Sequence, residues 1–128
     1  MILDKVRSLD RALLYSYQAC NVRKVSNNPL VEEEICRALI NPDKTKVDYD
    51  DKVLSIRKEH GFKEGDVFEW LDNGTFWLVY LQDYNEIAYF RSEIRRCSYQ
   101  IDWVDEEGNT CSTYAAVQGP TETKINFI

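Results

Sequence analysis

The chain has 128 residues, 44% of them apolar and 12% aromatic, and a formal net charge of -6. That length supports one domain with a core of its own, and that apolar content excludes a largely disordered chain. An acidic surface repels phosphate, which disfavours general nucleic-acid binding through the bulk surface.

Residues 2–20 carry apolar side chains at helical spacing: Ile2, Val6, Leu9, Leu13 and Tyr17, with Arg7, Asp10 and Arg11 on the other side. Asp4 suits the positive end of a helix dipole. The spacing predicts an amphipathic N-terminal helix that fades near Asn21. Its broad apolar stripe has two uses, packing on its own barrel or docking on a neighbouring subunit. Ser26-Asn27-Asn28-Pro29 reads as a linker. Residues 30–34, with three consecutive glutamates, read as a helical turn or the lead into a strand. Residues 35–40 read as a strand ended by Asn41-Pro42, because proline cannot donate to a ladder. Residues 45–52 are polar, with Asp48, Asp50 and Asp51 close together. A calcium loop needs acids at alternate positions, a central glycine and a distal glutamate. Those are missing, so a solvated loop is expected. A short strand at 53–56 and a charged connection at 57–64, which holds His60, follow.

The period-two pattern is clearest over residues 65–103. Phe68 and Trp70 share one face of the first segment, and Val67, Glu69 and Leu71 the other. Asp72-Asn73-Gly74 interrupts it, and Asn-Gly predicts a tight hairpin with two residues at positive φ. In residues 75–81, Phe76, Leu78 and Tyr80 alternate with Trp77, Val79 and Leu81, which predicts a central strand buried on both faces. Asp83-Tyr84-Asn85 separates this strand from a segment at 86–91. Residues 94–103 predict one long, half-buried strand, with Cys97, Tyr99, Ile101 and Trp103 on one face and Arg96, Ser98, Gln100 and Asp102 on the other. Residues 105–109 form a hairpin loop with Gly108 at the position that needs positive φ. Strands at 110–117 and 121–128 close the chain, parted by a turn at 118–120. The whole predicts a mainly β fold: a small antiparallel β-barrel or sandwich with one N-terminal α-helix. Its divisions are a helical arm at 1–26 and a barrel domain at 30–128.

No enzyme signature is present: no nucleophile elbow, P-loop, glycine-rich dinucleotide turn or His–carboxylate–metal cluster. No catalytic, cofactor-binding or metal-binding residue is therefore assigned. The four cysteines, at 20, 36, 97 and 111, form no C-x-x-C, and His60 is the one histidine, which argues against a zinc site. No apolar run approaches the ~20 residues that cross a bilayer, and the N-terminus lacks the features of a signal peptide. These points predict a protein made in the cytosol, with free thiols. The outstanding charge feature is Arg91, Arg95 and Arg96. Arg95 and Arg96 are strand neighbours and point to opposite faces. One is expected half-buried against a carboxylate such as Glu86 or Glu93, with the other free to meet a partner. Internal salt bridges and a subunit- or DNA-facing role both stay open.

Three runs, ALINPDKTKVDYDDKVLSI (38–56), GDVFEWLDNGTFWLVYLQDYNEIAYFRSEIRRCSYQIDW (65–103) and TYAAVQGPTETKINFI (113–128), resemble structural proteins of tailed-bacteriophage virions. NPDK, DYDDK, GDVFEW, WLVYLQD, EIAYF and RRC, in this order, are similar to small-barrel neck components of the head-closure or head–tail connector kind. The resemblance implies a non-enzymatic virion protein, assembled in the host bacterial cytoplasm. It implies a ring that joins the portal side of the capsid to the tail and retains DNA. The implied partners are portal or adaptor protein, tail proteins and further copies of the chain, with packaged DNA passing through the lumen and no membrane. Tail-terminator, decoration and baseplate proteins, and small-barrel binding modules, are the alternatives. The interface residues expected on this reading are Arg91, Arg95, Arg96, Leu13, Tyr17, Asp48, Tyr49, Asp50, Ile125 and Phe127.

Overall fold

A computed structural model describes residues 2–26, 30–42, 51–117 and 125–126. Helix α1 (Ile2–Tyr15) leads into β1 (Ala19–Lys24), β2 (Ile35–Pro42) and β3 (Asp51–Ile56). A single 3-10 turn (Lys58–His60) precedes β4 (Val67–Trp70), β5 (Thr75–Gln82) and β6 (Phe90–Arg96). Then come β7 (Tyr99–Val104), β8 (Thr110–Val117) and β9 (Ile125–Asn126). The first six strands close into a barrel in the order β1-β2-β3-β6-β5-β4, and β7-β8-β9 form a separate three-stranded sheet. Every pairing is antiparallel. The expected mainly β barrel with one N-terminal helix is the observed fold.

The barrel consists of two meanders, β1-β2-β3 and β4-β5-β6, joined by the β3–β6 and β1–β4 ladders. Alternation fills its interior. Cys20 and Val22 point inward from β1, Cys36, Ala38 and Ile40 from β2, Leu54 and Ile56 from β3, and Phe68, Trp77, Val79, Phe90 and Ile94 from the second meander. Phe62, carried by the β3–β4 connection, plugs one end and meets the Phe68 ring edge-on at 5.8 Å. Gly61 lets the chain turn there, with φ +68°, and its carbonyl accepts a 2.9 Å hydrogen bond from Lys24 Nζ. Strand β5 is apolar on both sides, as its sequence predicts. Trp77 and Val79 lie inside, while Leu78 joins Val67, Phe76 and Cys97 in a second cluster.

Several boundaries differ from the sequence reading. Helix α1 ends at Tyr15, and residues 19–24 form a barrel strand inside the stretch expected as an arm. Ser16 makes the switch: its N–H still bonds the Ala12 carbonyl, while its own carbonyl accepts from Ala19 N–H and its hydroxyl from Gln18 N–H. Tyr17 continues the helical spacing but is 95% exposed. In the hairpin after β4, glycine alone takes positive φ, Gly74 at +71°. Asn73 instead accepts hydrogen bonds from the N–H and hydroxyl of Thr75. A bulge at Tyr80 leaves Val79 opposite Ile94 and Leu81 opposite Glu93. The extra residue reverses the alternation, so Leu81 turns outward and is 52% exposed. The expected strand at 94–103 is two strands in two sheets, broken at Cys97-Ser98. Cys97 N–H makes a last bond to the Phe76 carbonyl before the chain leaves the barrel. The segment expected at 86–91 starts only at Phe90, because Asp83 ties the preceding loop by accepting from the Asn85 and Glu86 N–H groups. The hairpin at 105–109 has Gly108 at φ +85°, as the sequence predicts.

Trp77 is 2% exposed at the heart of the interior. Trp77→Ala is expected to destabilise the domain by ~3–5 kcal/mol, much of a small domain's stability. Urea unfolding checks this, and wild-type stability in the variant refutes the core assignment.

Candidate functional site

The three arginines of interest lie on β6, and the β3–β6 register separates their roles. Arg95 sits directly opposite Asp51. Its Nε and Nη2 donate to the two Asp51 carboxylate oxygens at 3.0 and 2.9 Å, a bidentate pair with side chains only 7% and 0% exposed. The guanidinium also lies 4.3 Å from the Tyr80 ring centroid, so the bulge in β5 supplies its aromatic cover. The partner is thus Asp51, and neither Glu86 nor Glu93. The reason is that β3 begins at Asp51, two residues before the expected strand, and this brings the acid into register with Arg95. Asp51 is buried rather than part of a solvated loop. Arg91 and Arg96 are exposed, opposite Ser55 and Trp77 respectively.

Helix α1 is held on the barrel by its inner face. Leu9 and Leu13 are buried, and three polar ties surround them. Arg57 Nη1 meets Asp10 at 3.1 Å, Lys5 Nζ meets Glu86 at 3.4 Å, and Arg37 Nε donates to the Leu13 carbonyl at 3.0 Å. The last satisfies one of the orphan carbonyls at the helix C-terminus. Burial works to raise the Glu86 carboxyl, but the Ala88 N–H and the Lys5 ammonium outweigh it and leave Glu86 below its ordinary value. Between helix and barrel runs a groove of about 480 Å³, floored by Leu9, Leu39 and Val53 and edged by Tyr89 and Arg91. Sequence reasoning missed these ties, because each partner lies on a distant element.

Of the other expected interface residues, Leu13 is buried beneath α1, whereas Tyr17 is exposed beyond its end. Ile125 lies on β9, at an edge of the small sheet. Asp48, Tyr49, Asp50 and Phe127 fall outside the described residues. Large apolar side chains are exposed on elements flanking the barrel: Leu14, Tyr15 and Tyr17 at the helix end, Leu30 before β2, Trp103 and Val104 in β7. Such surfaces suit contact with other proteins. Among the described residues, no group of three His, Cys, Asp or Glu side chains is placed to hold a metal ion. Among them too, no helix is long and apolar enough to cross a membrane. Cys20, Cys36 and Cys97 are free thiols. Burial pushes Cys20 and Cys97 up to about 12.

Asp51→Ala removes the bidentate carboxylate from the buried Arg95 guanidinium, and is expected to destabilise the fold by up to about 3–5 kcal/mol in urea unfolding. Arg96→Glu changes an exposed residue and is expected to leave the fold intact; an unfolded variant overturns that placement. The thiols give a pH test. Their neutral form is favoured in the folded chain, so their contribution to stability is full below the ordinary 9.0 and is lost as pH rises toward about 12. At pH 8 both are expected to resist a thiol reagent until denaturant is added; rapid labelling of the folded chain counts against their burial. No protein family, curated protein or solved structure matches this chain.

Proposed function

We propose that this chain is a structural component of a tailed-phage neck, a head-closure or head–tail connector protein. In that role, copies of it form a ring that joins the portal side of the capsid to the tail and retains DNA. The three runs that resemble neck proteins supply most of β2 and all of β3, β4 to β6 and nearly all of β7, and most of β8 with all of β9, so they are framework rather than surface decoration. The observation that carries the reading is where the exposed apolar side chains lie. The barrel interior is filled by its own residues, while Tyr15, Tyr17 and Trp103 are exposed on elements outside it, and Leu30 is exposed in the connection before β2. A ring component needs a rigid body and uncovered arms that neighbours bury on assembly.

The test is the mass in solution of the purified chain, alone and mixed with the portal protein encoded in the same genome. Light scattering is expected to show a large complex on mixing. A chain that ignores the portal overturns the neck assignment and moves the protein to another virion position.

A further inference from the structure

The outer face of α1 is exposed. Leu3, Arg7, Arg11 and Leu14 recur at spacings of four, four and three, which puts them on one helical face, and all are exposed. Two guanidinium groups thus lie between two apolar ends. The lead into β2 carries the opposite pattern. Leu30 and Ile35 are exposed at its ends, and Glu32, Glu33 and Glu34 lie between them, with Glu32 and Glu34 exposed. Among the described residues none of these five charged groups enters an ion pair, whereas Lys5 and Asp10 on the same helix and Arg23 and Lys24 on β1 do.

The two patterns also match in length. Leu3 to Leu14 spans about 16 Å along a helix axis, and Leu30 to Ile35 spans up to about 17 Å of chain. We infer that the outer face of α1 in one copy of this protein binds the acidic 30–35 segment of a second copy. The contact pairs unlike surfaces of two identical chains, so it is heterologous, and its repetition builds a ring or a filament. It rests on the ring-component reading for closure, and names the surfaces that such a ring would join. The arginines can form forked bonds to the glutamates, and the apolar ends exclude water around them.

Charge reversal tests it by sedimentation velocity. One variant is Arg7→Glu with Arg11→Glu; the other is Glu32→Lys with Glu34→Lys. All four positions are exposed, and circular dichroism verifies the fold. Each variant alone sets like charges against each other, and its self-association is expected to weaken by ~10-fold or more. In an equimolar mixture, each reversed helix meets a reversed segment and each native helix a native one, so association is expected to return. Wild-type association is expected to weaken with added salt. Variants that associate as the wild type does, or a mixture no better than its parts, overturn the contact. A wild-type chain that stays monomeric also overturns it, while portal binding by that same chain leaves the neck reading standing.

Discussion

Two ladders hold the rest of the molecule in place, β1 against β4 and β3 against β6. Each three-stranded meander alone would leave two edges open and one apolar face wet. Joining them at both seams removes the edges and turns both apolar faces into one interior. Six strands enclose too little space for a lumen, so side chains fill it. They do so by complementary size. The β1–β2 side offers small groups at Cys20, Val22, Cys36 and Ala38, and the β4–β5 side offers Phe68, Trp70 and Trp77. A substitution on one side is therefore felt on the other.

The β3–β6 seam also carries the buried Asp51–Arg95 pair. A slip of one residue along this ladder would move Arg95 to the inner face, among Leu54, Ile94 and Trp77 and away from Asp51. The pair thus penalises wrong register more than it adds net stability, since desolvation offsets most of its Coulomb attraction. Tyr80 belongs to the same device. It is the residue that β5 gains at the bulge, and its ring covers the guanidinium.

What was legible in the sequence was local. Residues 75–79 alternate between two apolar faces, and β5 lies between β4 and β6 with both faces covered. Gly108 and the strand after it could be placed from turn chemistry alone. The errors arose where one periodicity ran on into another. Tyr17 falls four residues after Leu13 and extends the helical stripe past the point where Ser16 has ended it. Cys97, Tyr99, Ile101 and Trp103 alternate without a break across a junction between two sheets, because period two reports strand conformation but not which sheet a strand joins. The partner of Arg95 was out of reach for a third reason. Asp51 lies 44 positions away, and only the register of two strands joined late in the chain brings them together.

The charges divide along the same line as the apolar residues. Several barrel charges are matched within the chain: Arg23 with Glu69, Lys24 with Asp66 and Arg57 with Asp10 at the surface, and Arg95 with Asp51 in the interior of the β3–β6 seam. Among the described residues, Arg7 and Arg11 on the outer helix face and the glutamates before β2 enter no ion pair. An exposed pair contributes little to folding, so leaving these groups unmatched costs the monomer almost nothing. At a contact between molecules the same groups set orientation and exclude wrong partners. The exposed apolar residues beside them, Leu14 and Leu30, are equally dispensable to the barrel, whose core is complete without them. In the proposed contact, folding and association would draw on separate residues, so the outer surfaces could change without loosening the interior.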